Sequence, residues 1–287
     1  MGMVQFMDEA DNGGIDTYNY KFTVAAAIDE ITPKIIQGNI DIAAVPSNLA
    51  AILYNNTQGK VQVLAIGTLG TLYIAESGDT IGSAGDLLGK TIYASGKGAM
   101  PEYALNYVLK SNGINPESDV SIEWKSEHTE CAMAMAVNKN AIAMLPQPYA
   151  TTAMNLNESI RIALDLTAEW EKSQNTADNQ SVLIMGVVIA RTEFAGQNPI
   201  AMNDFLDRYF KSVSYVNQNL SESARLIGKY EIVTEAVAQA ALPYCNITFI
   251  EGMEMKSKLS GFLSVLFEQN PQSIGGALPD DAFYYSR

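Results

Sequence analysis

The feature that most constrains this chain is a strand–helix block that occurs twice. Residues 41–45 read DIAAV and residues 141–145 read AIAML, apolar strand-length segments broken only by Asp41 at the start of the first. Each run meets a proline at its end: Pro46-Ser47-Asn48 in one copy, Pro146-Gln147-Pro148 in the other. Proline suits a first helical turn, where its missing N–H has no intrahelical partner to lose. Both runs are therefore predicted to turn directly into helices, reaching about Asn55 and about Asn155. The flanks match in kind and order. In the first copy an alternating strand over 18–26 (YNYKFTVAA), a helix over 29–37 closed by Gly38, and a strand over 61–66 (VQVLAI) surround the block. In the second the counterparts are 120–124 (VSIEW), 129–137 and 160–164 (IRIAL). A duplicated strand–helix unit predicts an α/β protein of two lobes, each a mostly parallel sheet flanked by helices.

Open α/β sheets bind ligands beyond the carboxyl ends of their strands. Both proline turns sit at such ends, so the two lobes are expected to aim them into a shared cleft. The second copy has further elements in front: a strand over 90–94 (KTIYA), the loop Ser95-Gly96-Lys97-Gly98, and a helix over 100–111. The first copy has the matching helix, over 2–10 with Met3, Phe6 and Met7 on one side, but no strand and loop before it. The repeat thus predicts that the chain starts inside its first unit and that lobe 1 lacks its first strand. Residues 72–76 (LYIAE) and 183–190 (LIMGVVIA) are expected to carry the chain out of the first lobe and back. This gives 1–75 plus 190–287 as lobe 1 and 76–189 as lobe 2. Helices over 199–216, 221–229, 234–241 and 252–269, a short strand over 246–250, and a tail from Pro271 wrapping lobe 1 complete the reading.

Charge narrows the function. Lys and Arg total 18 against 32 Asp and Glu, a formal net charge of −14, so phosphate backbones are repelled and nucleic acid is not expected as a partner. No run of 18 apolar residues is present to span a bilayer. Cys131 and Cys245 lack CxxC spacing; one disulfide between them stays open, with two buried free thiols the favoured reading. With one histidine, His128, no zinc site can be assembled and no cofactor is implied. In the Ser95–Gly98 loop, backbone N–H groups before a helix can hold an anion, and Lys97 adds charge. Walker A spacing is absent from this loop. Ser47, Asn48, Gln147 and Tyr149 offer hydrogen bonds and a flat ring of the kind found in small-molecule pockets. Gly70 suits a hinge or a close ligand approach. His128, beside Glu127 and Glu130, reads as a surface residue, and Glu102 as a helix-dipole partner.

Taken together, DEITPKIIQGNIDIAAVPSNLAAILYN, LGKTIYASGKGAMPEYALNYVL, AIAMLPQPYA and PYCNITFIEG resemble the nitrate/sulfonate/taurine and thiamine-pyrimidine-precursor group of ABC-importer binding proteins. The most specific strings are G-x-x-D-I-A-x-x-P from Gly38 to Pro46 and D-L-x-G-K-x-I from Asp86 to Ile92. The resemblance implies a type II periplasmic-binding-protein fold. It also implies ligand contacts at Ser47, Asn48, Ser95, Gly96, Gly98 and Gln147. The role it implies is that of an extracytoplasmic receptor, periplasmic or at the cell surface on a lipid anchor outside this sequence, which delivers a small anionic or heteroaromatic solute to ABC permease subunits. Mature chains of that group begin with a strand and a glycine-containing loop, which this sequence lacks. The same fold also carries fungal pyrimidine-synthesising enzymes that use a histidine, pyridoxal phosphate and a cysteine-rich motif. An enzyme on this scaffold, or a sensing domain of a larger regulator, is the alternative. The separated cysteines, and a His128 read as lying off the cleft, weigh against the enzyme.

Overall fold

The computed structural model describes residues 1–25, 28–174 and 181–287. The chain divides into two compact units, residues 1–69 with 184–287 and residues 70–183. Unit 1 begins with helices α1 (Val4–Asp11) and α2 (Ile28–Ile36), then β1 (Ile42–Pro46), α3 (Ser47–Thr57) and β2 (Val61–Leu69). Unit 2 holds β3 (Leu72–Ser77), β4 (Thr91–Ser95), α4 (Met100–Ser111), β5 (Ser121–Lys125) and α5 (His128–Val137). It continues with β6 (Ile142–Pro146), α6 (Tyr149–Leu156), β7 (Ile160–Asp165) and α7 (Leu166–Lys172). The chain then rejoins unit 1 with β8 (Ile184–Arg191), α8 (Thr192–Gln197), α9 (Pro199–Gln218), α10 (Leu220–Lys229), α11 (Glu235–Ala241), β9 (Ile247–Ile250) and α12 (Gly252–Gln269).

The expected duplication is present as topology. The unit 1 sheet runs β1-β8-β2-β9 and the unit 2 sheet β5-β4-β6-β3-β7. The triplets β1-β8-β2 and β6-β3-β7 are built alike. In each, a proline-ended strand and the strand after its helix flank one antiparallel strand from elsewhere in the chain. This inserted strand corrects the expectation of mostly parallel sheets. All neighbouring pairs in unit 1 are antiparallel, and in unit 2 only β4–β5 and β4–β6 are parallel. The helical crossovers do produce strands of one direction, as right-handed βαβ logic requires. An opposite strand then slides between them. The strand read as leading out of the first lobe, β3, lies entirely in the unit 2 sheet, and β8 lies entirely in that of unit 1.

The strand expected over 18–26 does not form. Residues 18–25 carry no strand assignment, and Ala26 lies outside the described residues. Its alternation is real, but it serves side-chain packing rather than a ladder. Tyr20 and Phe22 pack edge-on against Phe6 at 4.8 and 5.0 Å, and the Tyr20 hydroxyl donates to Asp204 at 2.8 Å. A strand needs a hydrogen-bonded neighbour. In unit 2 the counterpart strand β5 has β4, whereas β1 is the edge strand of its sheet and no described strand lies beyond it. The unit 1 core is instead closed by helices: Val4, Phe6 and Met7 of α1 meet Phe205, Leu206 and Tyr209 of α9 over Leu64 and Val188 of the sheet.

The tail wraps unit 1 as expected. Asn55 donates to the carbonyls of Ile274 and Ala277 at 2.8 and 2.7 Å, and Tyr54 donates to Asp280 at 2.5 Å. In unit 2, Trp170 on α7 is fully buried with its ring 4.0 Å from that of Tyr107 and its indole N–H on Ser181.

Candidate functional site

In unit 2, β4, β6 and β7 end at one edge of the sheet, where antiparallel β3 begins. Ser95 closes β4 and is buried. Gly96 and Gly98 follow with φ of +82° and +75°, a left-handed backbone that side chains resist. At Gly96 a Cβ would also come within 2.9 Å of Pro101 Cγ. This loop delivers the chain into α4. The Ser95 hydroxyl hydrogen-bonds to His128 Nδ1 and lies beside the Cys131 thiol. The His128 ring lies 5.1 Å from that of Tyr149, tilted by 41°. Burial holds His128 below its ordinary value of 6.5, against the opposing charge of Glu127, so the ring is uncharged at neutral pH. Burial likewise raises the Cys131 thiol, although Ser95 and Lys125 pull the other way. It is therefore a protonated packing group rather than a thiolate.

Gln147 follows β6 and is 9% exposed. Its N–H donates to the Thr71 carbonyl at 2.9 Å, while its Oε1 accepts from Thr151 N at 3.3 Å and Thr151 Oγ1 at 2.8 Å. A backbone N–H can only donate, so the oxygen must face Thr151 and the NH2 group must turn away. That Nε2 is buried without a hydrogen-bond partner. Thr167 Oγ1, at the neighbouring end of β7, is orphaned in the same way. Gly70 is explained by packing: a Cβ there would fall 2.0 Å from Thr167 Oγ1 and 2.8 Å from Leu183 Cδ2.

The expected anion cradle is put to internal use. Gly98 N–H donates to Glu102 Oε2 at 2.5 Å, so the carboxylate of the chain itself occupies that amide. Lys97 is exposed.

The corresponding corner of unit 1 is tighter. Pro46 ends β1 opposite Gly186, and α3 begins at the next residue. Ser47 is fully buried and donates to the Ile184 carbonyl at 2.6 Å. Asn48 Nδ2 donates to the Ser273 carbonyl at 3.3 Å. Both side chains therefore tie α3 to β8 and to the tail.

No family model matches the sequence, and no curated protein matches it. Among solved structures, an ABC transporter from Parabacteroides distasonis is similar over 100% of this chain and 96% of its own, at 22% identity and a TM-score of 0.81. The periplasmic aliphatic sulphonate binding protein SsuA from Escherichia coli is similar over 97% of this chain and 88% of its own, at 14% identity and a TM-score of 0.73. The chain has the type II periplasmic-binding-protein fold. This fold is not confined to binding proteins named for ABC import. A mutant of DSZB in complex with biphenyl-2-sulfinic acid is similar over 83% of this chain and 81% of its own, at 13% identity and a TM-score of 0.58.

Within this fold, the sequence-based placement of His128 needs correction. The sequence reading puts it at the surface, off the binding edge. It is half-buried, bonded to Ser95 and packed on Tyr149. The flanking Glu127 and Glu130 suggest exposure, and both are indeed exposed. The signal that would have found His128 is its position: β5 ends three residues earlier, beside β4, so the first residue of α5 reaches the same edge as the glycine loop. Cys131 and Cys245 are free and buried, as expected. Among the described residues no three His, Cys, Asp or Glu side chains gather as a metal site, and no helix is long and apolar enough to cross a membrane.

Proposed function

We propose that the protein is the solute-binding receptor of an ABC importer. It works outside the cytoplasm, takes up one small anionic or heteroaromatic solute, and passes it unchanged to permease subunits. The observation that carries this reading is the duplicated proline-ended strand, each copy leading at its carboxyl end into a helix, in a fold shared with a sulphonate-binding protein and an ABC transporter. In this reading the candidate contacts are the backbone at Ser47 and Asn48 in unit 1, whose side chains are bonded internally, and Gly70, Ser95, Gly96, Lys97, Gly98, Gln147 and Tyr149 in unit 2. Binding favours the solute-competent conformation because affinity differs between conformations, and that difference is the signal a permease reads.

A thermal-shift screen against sulfonates, nitrate, carboxylates and small heteroaromatics tests the proposal. A true solute at 100 times its Kd adds about 2.7 kcal/mol of stability. A panel without any stabilising compound, or a stabilising compound that is chemically consumed, contradicts it.

A further inference from the structure

Resting on that receptor reading, we infer that the edge of unit 2 recognises an uncharged planar ring bearing a hydrogen-bond acceptor, rather than a free oxyanion. The orphaned Gln147 Nε2 supplies the donor, and Tyr149, two residues further on and braced by His128, supplies the aromatic face. Leaving a buried amide N–H unpaired costs free energy unless an acceptor reaches it. The orientation of this one is fixed by Thr151, so it is the ligand's oxygen or ring nitrogen that must come to it.

The surrounding charges decide against an anion. A carboxylate, Glu102, already sits on the Gly98 amide where an oxyanion would bind. Glu127 and Glu130 flank His128, and Glu130 is itself held by Ser126 N–H at 3.0 Å. Of the cations, Lys97 is exposed, and Lys125 is paired with Glu123 at 3.1 Å and lies over the Tyr93 ring. His128 adds no charge at neutral pH. An anion brought here would be desolvated among carboxylates without a buried counter-charge, which is unfavourable. A neutral ring satisfies the amide and stacks at no such cost.

Matched probes separate the alternatives. The full chain is titrated calorimetrically with benzenesulfonamide against benzenesulfonate and with nicotinamide against nicotinate. Each pair has the same shape and differs in charge. The inference expects the neutral member to bind at least tenfold tighter. It also expects Gln147→Glu, which keeps the oxygen facing Thr151 but removes the donor, to weaken that probe about tenfold or more. Tyr149→Leu should weaken ring probes by up to about tenfold. Tighter binding of the anionic members, or neutral binding indifferent to Gln147→Glu, overturns the inference. If ethanesulfonate or nitrate binds while every ring probe fails, the inference falls and the receptor reading stands. Failure of all of them removes both.

Discussion

β1 and β6 are written almost alike, Ile-Ala-Ala-Val-Pro and Ile-Ala-Met-Leu-Pro, yet they sit in different surroundings. All five residues of β6 are buried, whereas in β1 only Val45 is and Ala44 is exposed. β6 lies between β4 and β3, while β1 has β8 on one side only. An apolar run encodes the capacity to be a strand, but the neighbours that topology provides determine how far it is buried. The corners beyond these strands differ as well. The unit 1 corner passes from Pro46 directly into α3, and its polar side chains are spent on internal bonds. The unit 2 corner is joined by a left-handed glycine loop, a ring pair and an unpaired amide.

This contrast can be broken or sharpened by substitution. The largest effect is expected at Met144, which is 1% exposed at the position matching Ala44. Met144→Ala should cost about 2–5 kcal/mol, and Ala44→Ser less than about 0.5 kcal/mol, read from urea-denaturation midpoints. Equal losses would erase the distinction between the two strands.

Next is Glu76 on β3. Its buried carboxylate accepts from Thr80 N and Oγ1 at 2.8 and 2.6 Å, from Ile81 N at 3.1 Å and from Arg161 at 2.9 Å. Burial alone would raise its pKa, but these bonds and the Arg161 charge overcome burial and hold it below the ordinary 4.5. A depressed carboxyl contributes stability fully above pH 4.5 and loses it as pH falls through the lower folded value. Glu76→Gln should therefore cost about 2 kcal/mol at neutral pH and flatten the acid decline of unit 2, monitored by Trp170 fluorescence. A variant with an unchanged acid slope would contradict this assignment.

Gly96→Ala should cost about 1–3 kcal/mol, from its positive φ and the contact with Pro101. A substitution that leaves the melting temperature unchanged would mean that the unit 2 corner does not depend on that loop. The smallest effect belongs to unit 1. Asp41 pairs with Arg191 at 2.7 Å but is half-exposed, so Asp41→Asn should cost less than about 1 kcal/mol and respond to salt. A larger, salt-independent loss would make the two ion pairs equivalent.

The helix-bearing blocks were legible because their signals are local. The proline after each apolar run, Gly38 at the close of the helix over 29–37 and the Ser95–Gly98 loop ahead of residues 100–111 all report on immediate neighbours. What could not be read depends on partners distant in sequence. Residues 18–25 alternate like a strand but lack a ladder to join. β8 and β3 run opposite to the strands they separate, which no periodicity records. The short helices α7 and α8 carry too few turns for a helical period to stand out. The places of Gln147 and Tyr149 between the end of β6 and the start of α6 follow from the repeat, while the acidic neighbours of His128 mask its half-buried position. The use of the Gly98 amide by Glu102 shows how a loop with the right amides can have its anion supplied by the chain itself.

Whether the chain binds a solute at its proline-led corners and releases it unaltered is directly measurable. Hydrogen exchange of the full chain with a solute found by screening, combined with mass spectrometry of that solute after prolonged incubation, measures both. The prediction is one solute per chain, slowed exchange at the amides of Ser47, Asn48, Gln147 and Tyr149, and full recovery of the solute at its original mass. A product that accumulates with time, or protection confined to the outer helices with both corners unchanged, would contradict it.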